Sequence, residues 1–396
     1  MRKLVSSFSI ERRYSLNDKF IARVYFVFVV LYVFLSGFVF IEPSPAEIMF
    51  TIMAPMMLIG FSTTWRIMIL FLLLFVPMTI SAYFGIIQGF FNLRFFTIDT
   101  YLFIFFFVLS SLGFHVKKIV NKDHLLSSLM KAWAVAGAVN IMAGLFAYVT
   151  GRTTLLGTEI IRFGIRLKGF FKDPNVLGPF LIPAGIYYLY MFFKEREKSI
   201  QHLLLFIFFS GGVILTFSRA AWLNLFFSML FLIFGLIGEP RSRGKIAGFF
   251  VIVLILLMIF FQVSTQINIL GVNLYDFFIN RTGLKSYDTG RFSAQKEFVD
   301  IMNYSVLSLF FGVGPGNYEN FSRMATHSLF ARYIGERGLI GISTFVVFLV
   351  LVSRYALKSS YRKFFIPVLI GQLVNSFFID SLHWRHLWLL IVISIL

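Results

Sequence analysis

His327 opens the run His327-Ser328-Leu329-Phe330-Ala331-Arg332-Tyr333-Ile334-Gly335-Glu336-Arg337-Gly338-Leu339-Ile340-Gly341. Imidazole exchanges a proton near neutrality, so a neutral histidine at a membrane surface can take the proton of an attacking hydroxyl. The alternative is a histidine that only hydrogen-bonds to its neighbours. Two arginines stand in settings suited to phosphate. Arg219 closes Thr216-Phe217-Ser218-Arg219, and Arg291 follows Gly290. A guanidinium grips phosphate oxygens in pairs. Arg219 ends one apolar run and begins another, where a charge is costly unless it snorkels or is paired. Arg291 follows Asp288 and Thr289, either of which can cap a helix starting near Arg291. The plainer accounts are a snorkelling arginine and an exposed arginine at a helix start.

Metal chemistry has little support. His383 and His386 are three apart beside Asp380, which could place them on one helical face. Interface histidines are the better account, and no outer pair of carboxylates is spaced to hold a catalytic metal ion. No cofactor or metal is expected. With no cysteine there is neither a disulfide framework nor thiolate chemistry.

Several elements must position these residues. The stretch from His327 to Arg337 has Phe330 and Ile334 at helical spacing and predicts a short amphipathic helix, with Gly338 and Gly341 allowing a bend into the next span. Gly312-Val313-Gly314-Pro315-Gly316-Asn317 lacks the lysine and hydroxyl of a P-loop and reads as a tight turn positioning the His327 segment. Phe171-Lys172-Asp173-Pro174-Asn175 reads as a turn into a span, with Asp173 or Asn175 as the helix cap.

Apolar residues make up 58% of the 396, and only 14% are charged; mean hydropathy is +0.84. Such a chain cannot supply the polar surface of a soluble domain, so it is placed among integral membrane proteins. Charge-poor stretches predict about twelve helical spans, at 22–41, 46–63, 67–85, 98–116, 126–149, 177–193, 201–217, 220–238, 246–263, 338–356, 364–379 and 384–396. The first is too long for a cleaved signal peptide and is kept as an anchor. Pro55 interrupts the second, and the last is short.

The net charge of +18 lies between the spans, which sets nucleic acid aside as a partner. With the N-terminus inside, the short pieces Arg2 to Arg23, Arg66, Lys117 to Lys122, Lys194 to Lys198, Arg241 to Lys245 and Arg354 to Lys363 are all cytoplasmic and net basic. The resulting organisation is a cytoplasmic N-terminus (1–21), N-terminal spans (22–149), an outer loop (150–176), central spans (177–263), a large outer loop (264–337) and C-terminal spans (338–396). Both outer loops are basic against the topological trend, carrying Arg152, Arg162, Arg166, Lys168, Lys172, Arg281, Lys285, Arg291, Lys296, Arg323, Arg332 and Arg337. Long loops translocate whatever their charge. Collectively, arginines beside a membrane suggest a phosphate-bearing ligand embedded in membrane lipids.

In order along the chain, F-K-D-P-N (171–175), L-T-F-S-R (215–219), G-R-F (290–292), F-G-V-G-P-G-N (311–317) and H-S-x9-G-x-x-G (327–341) resemble the O-antigen ligase/polymerase family. The match covers roughly the C-terminal two thirds; the first five spans match only as apolar helices. The resemblance implies an all-α, C-type glycosyltransferase-like fold with a large helical periplasmic loop in the bacterial inner membrane. It implies a metal-independent, inverting transfer of a glycan from undecaprenyl diphosphate, with Arg219 and Arg291 on the diphosphate and His327 as base. Arg162 and Arg166 are further diphosphate candidates. The His-Ser-x9-Gly-x-x-Gly pattern favours a ligase acting on lipid A–core oligosaccharide in lipopolysaccharide biosynthesis. Ser328 stands where asparagine is common in relatives. A polymerase extending a lipid-linked glycan is the nearest alternative. A flippase for an anionic lipid is a further one, disfavoured by span centres almost free of charge and by the lack of inverted repeats. A scaffold subunit, for which His327 would be dispensable, is another.

Overall fold

The computed structural model describes residues 16–57, 63–283, 286–322 and 324–396. The chain is built of α1 (Leu16–Leu35), α2 (Pro45–Met57), α3 (Trp65–Ile87), α4 (Leu93–Lys117) and α5 (Lys122–Thr150), then two small hairpins, β1 (Thr154–Leu155) with β2 (Thr158–Glu159) and β3 (Ile161–Arg162) with β4 (Arg166–Leu167). There follow α6 (Pro174–Lys194), α7 (Ser199–Leu215), α8 (Arg219–Leu236), α9 (Pro240–Ser264) and a hairpin of β5 (Asn268–Ile269) and β6 (Val272–Asn273). Short helices α10 (Leu274–Thr282), α11 (Ser286–Lys296), α12 (Phe298–Tyr304) and α13 (Val306–Phe311) precede α14 (Leu329–Lys358), α15 (Arg362–Phe378) and α16 (Arg385–Ile395).

This is an all-α, multi-pass membrane protein. Each of the twelve expected spans holds a helix, but they are not equals. Among the described residues, seven helices are long and apolar enough to cross a membrane: α3, α4, α5, α6, α8, most of α9, and α14. The 13 residues of α2 and the 11 of α16 reach only about 20 and 16 Å at 1.5 Å per residue, well short of a hydrocarbon core of roughly 30 Å. The count of twelve is therefore one of helices, not of full crossings; residues 58–62 of the second expected span lie outside the described residues.

Helix α6 is the hub: most of it is buried, and it contacts α5, α7, α8, α9 and α15. Close approach needs small residues where bilayer lipid gives no hydrophobic drive to helix pairing. A side chain at Gly178 of α6 would meet Ala221 Cβ at 2.6 Å and Thr216 Oγ1 at 3.0 Å. At its periphery, α9 turns Leu254, Met258 and Phe261 outward, as a lipid-facing helix does.

The lysine-rich turns meet at one end. Lys245 Nζ donates to the carbonyls of Phe192 (2.7 Å) and Glu195 (2.6 Å), and Tyr361 donates to Asp123 Oδ1 at 2.8 Å. Arg66 lies over the Tyr355 ring and Lys194 over Tyr361. The hairpins, α10–α13 and the start of α14 occupy the opposite, arginine-bearing end.

Candidate functional site

The arginine end is organised by a turn and a broken helix. In Thr216-Phe217-Ser218-Arg219 the backbone reverses between α7 and α8 with Phe217 at φ +48°, a conformation disfavoured for a bulky residue. Burial holds it there: Phe217 is fully enclosed against Ile165, Leu274 and Phe277. Two other arginines take the turn's carbonyls, Arg166 Nε donating to Thr216 O at 2.9 Å and Arg281 Nη2 to Phe217 O at 3.2 Å. The turn thus presents Arg219 as the first residue of α8, where Nη2 pairs with Asp288 and Nη1 donates to Gly283 O at 3.2 Å. Arg219 is paired rather than simply snorkelling.

Asp288 belongs to the first turn of α11, which begins at Ser286, so Arg291 sits within the helix rather than at its start. Gly290 lets α11 approach the segment before α14, its missing Cβ position lying 3.2 Å from Met324 Sδ. Asp173 caps α6 by accepting from Asn175 N at 2.7 Å, with Pro174 at the first helical position, and Asn175 Oδ1 accepts from Arg166 Nη2 at 2.9 Å. These pieces enclose a cleft of about 180 Å³ walled by Arg219, Arg281, Arg291, Asp288, Asn175 and Gln295, with Phe378 and Ile379 from the end of α15. The wall carries three guanidiniums against one carboxylate, and the positive end of α8 opens onto it.

His327 stands beside the cleft rather than in its wall. Gln295, which does line the cleft, donates to the His327 carbonyl at 2.9 Å. His327 has φ +50° and precedes the cap, Ser328, which accepts from Ala331 N at 3.3 Å. It therefore lies outside the helix that sequence spacing placed it on and shares no face with Phe330 and Ile334. Half-burial, and next the charge of Arg291, hold the imidazole pKa below its ordinary value, against the opposing pull of Asp380 and Asp173. The ring is thus neutral at neutral pH, as a proton acceptor must be.

Helix α14 breaks at Gly338, with φ +63° and ψ −165°, where a side chain would strike the Phe310 backbone. A break orphans carbonyls. The glycine-rich turn answers them: Val313 N donates to Gly335 O at 3.1 Å, Gly314 N donates to Glu336 O at 3.0 Å, and Ser81 Oγ also donates to Glu336 O. Gly312–Asn317 thus holds the segment that carries His327 at its kink, through Gly335 and Glu336. The bend is at Gly338, while Gly341 remains helical and packs close to Arg337.

Arg332 and Arg337 do not join the cleft. Arg332 is buried among Asp380 (2.5 Å), Glu336 (2.6 Å) and Glu319, and Arg337 pairs with Asp99 of α4. His383 Nε2 completes the network at 2.9 Å from Asp99 Oδ1. Burial works against a charged His383, but the bond to Asp99 outweighs it and lifts the pKa above the usual value. His386 packs instead against the rings of Phe180 and Trp384, so the two histidines do not converge. Among the described residues no group of three or more histidines and acids could hold a metal ion.

Arg166 is buried and supports the turn beneath Arg219. Arg162 lies outside the cleft lining, donating to Lys172 O at 2.9 Å and facing Glu159 at 3.5 Å. Lys172 pairs with Glu42, and Lys168 donates to Glu159 O at 2.7 Å. Lys285 and Arg323 lie outside the described residues. Sequence reasoning missed Gln295 and Asp99. Nothing local marks Gln295; Asp99 is a carboxylate within an apolar run, a signal in its own right.

With this geometry in hand, residues 204–346 match the family described as O-antigen ligase, a glycosyltransferase-like ligase/polymerase group. The matched region spans Arg219, Arg281, Asp288, Arg291, Gln295 and His327. No curated protein matches the chain.

Proposed function

We propose that this membrane protein, which carries an O-antigen ligase domain over residues 204–346, transfers a glycan from undecaprenyl diphosphate to an acceptor hydroxyl at the periplasmic face of the bacterial inner membrane. The observation that carries the reading is the cleft itself: three arginines and a helix N-terminus against one carboxylate, beside a half-buried histidine whose pKa is held low. In this reading Arg219 and Arg291 bind the donor diphosphate, and Arg281 and Arg166 hold the turn that aims Arg219. The 264–337 stretch and the start of α8 carry the chemistry, and the flanking spans are their scaffold.

The acceptor oxygen attacks the anomeric carbon as the bond to the diphosphate oxygen breaks on the opposite face. The bonding pair leaves with the diphosphate, where the guanidiniums stabilise the growing charge. The hydroxyl proton passes to His327. One in-line displacement inverts the anomeric centre. Lipid A–core oligosaccharide is the acceptor we assign, from the His-Ser-x9-Gly-x-x-Gly pattern.

The test is transfer by purified protein in detergent with EDTA, from an undecaprenyl-diphosphate-linked oligosaccharide, with lipid A–core or a second lipid-linked glycan in separate reactions. Transfer to lipid A–core that His327→Ala abolishes without unfolding supports the ligase. Transfer only to the lipid-linked glycan reassigns the chain as a polymerase. Full activity of His327→Ala overturns the general-base role, and donor binding without transfer to either acceptor overturns the transferase.

A further inference from the structure

One side chain in the cleft wall bridges three elements. Gln295 follows Arg291 by four residues on α11, so the two share a helix face, and both line the cleft. Its amide NH2 has two hydrogens to give. Nε2 donates to the His327 carbonyl at 2.9 Å and, more weakly, to the Phe377 carbonyl at 3.4 Å. Phe377 stands in the last turn of α15, where carbonyls lack partners within the helix. The next two residues, Phe378 and Ile379, form another part of the cleft wall. Gln295 is itself held from behind. The hydroxyl of the buried Tyr318 donates to the carbonyls of Ala294 at 2.8 Å and Gln295 at 3.2 Å. The Tyr318 ring in turn fills the space at Gly335 of α14, where a side chain would meet it at 2.6 Å.

His327 is the residue in need of such a hold. Its backbone is left-handed, with φ +50°, and it precedes the cap of α14 instead of lying within the helix. A residue with a side chain occupies that region at a cost and stays there only when its surroundings fix it. The bond from Gln295 joins the main chain of His327 to the helix face that carries Arg291. We infer that Gln295 is a positioning residue, which keeps the His327 imidazole in register with the departing diphosphate by gripping the His327 carbonyl. The inference rests on the reading of His327 as proton acceptor and Arg291 as diphosphate ligand.

The test is a double-mutant cycle on kcat in the full chain, with an undecaprenyl-diphosphate-linked oligosaccharide as donor. It combines His327→Ala with Gln295→Met, which keeps the length of the side chain and loses its donor group. Alone, Gln295→Met should lower kcat roughly ten- to a hundredfold, the scale of a displaced reacting group. Donor KM and melting temperature should stay near those of wild type. On the residual turnover of His327→Ala the same substitution should have no further effect, because the group it positions is gone. Losses that multiply place the action of Gln295 outside His327 and overturn the inference. So does a rise in donor KM in place of the fall in kcat, a kcat loss matched by a loss of melting temperature, or wild-type kcat in Gln295→Met while His327→Ala is impaired. Failure of the underlying reading has its own signature: His327→Ala alone keeps full activity, and the positioning role falls with it.

Discussion

Two arginine-rich regions share one end of this molecule and do opposite things with charge. In the buried network, Arg332 and Arg337 face Glu319, Glu336, Asp99 and Asp380. In the cleft, Arg219, Arg281 and Arg291 share a wall with Asp288. The network sets each arginine against carboxylates, tying α4, α14 and the loop after α15 together where an unpaired charge would be costly. The cleft wall sets three guanidiniums beside a single carboxylate. The histidines repeat the contrast: His383 is fixed on Asp99 with a raised pKa, while His327 sits beside Arg291 with a lowered one. Arginine count alone does not mark a binding site; the local balance of charge does.

The sharpest way to separate the regions is His327→Ala. Its turnover should fall roughly 10²–10⁴-fold, the usual worth of a general base, while its melting temperature stays that of wild type. A stability loss matching the activity loss would make His327 structural and dissolve the contrast. Arg337→Ala should do the reverse. Removing the guanidinium from buried Asp99, which His383 also contacts, costs up to about 3–5 kcal/mol, seen as a large drop in melting temperature in detergent, with activity per folded molecule largely kept. An unchanged melting temperature would show that the network does not hold the helices.

A smaller effect is expected from Arg291→Gln. Losing a charged hydrogen bond, about 1.5–3 kcal/mol, should weaken donor binding roughly ten- to a hundredfold with little change in melting. Unaltered donor affinity would remove Arg291 from the diphosphate site.

The smallest effect is on pH dependence. Because burial and Arg291 hold the His327 pKa low, the acid limb of kcat/KM should lie below the ordinary histidine range. Removing the Arg291 charge takes away one lowering influence, so the limb of Arg291→Gln should move to higher pH. Movement to lower pH, or none, would mean that another group titrates.

Much of this was legible in the chain. The charge-poor runs located every long helix, because transfer into hydrocarbon is a local property summed over about twenty neighbours. Asp173-Pro174 marked the start of α6, since capping and proline act within one turn. The glycines of 312–316 and Gly338 marked points where the backbone must bend. The pattern did not show that the glycine turn receives the carbonyls freed at Gly338, nor that three tiny hairpins interrupt the helical loops.

The limit is clearest at the charged residues. Sequence counted twelve basic residues in the two outer loops as one group, yet Arg332 and Arg337 spend their charge on Asp380 and Asp99, which lie 48 and 238 positions away. It placed His327 on a helix, but Ser328 starts that helix one residue too late and leaves His327 on the strained approach. Hydropathy, capping and turn preference are set by near neighbours, so the sequence by itself determined the long helices and the residue types available for chemistry. Which carboxylate neutralises which arginine depends on helices brought together from opposite ends of the chain, and only the tertiary structure decided which arginines line the cleft beside His327.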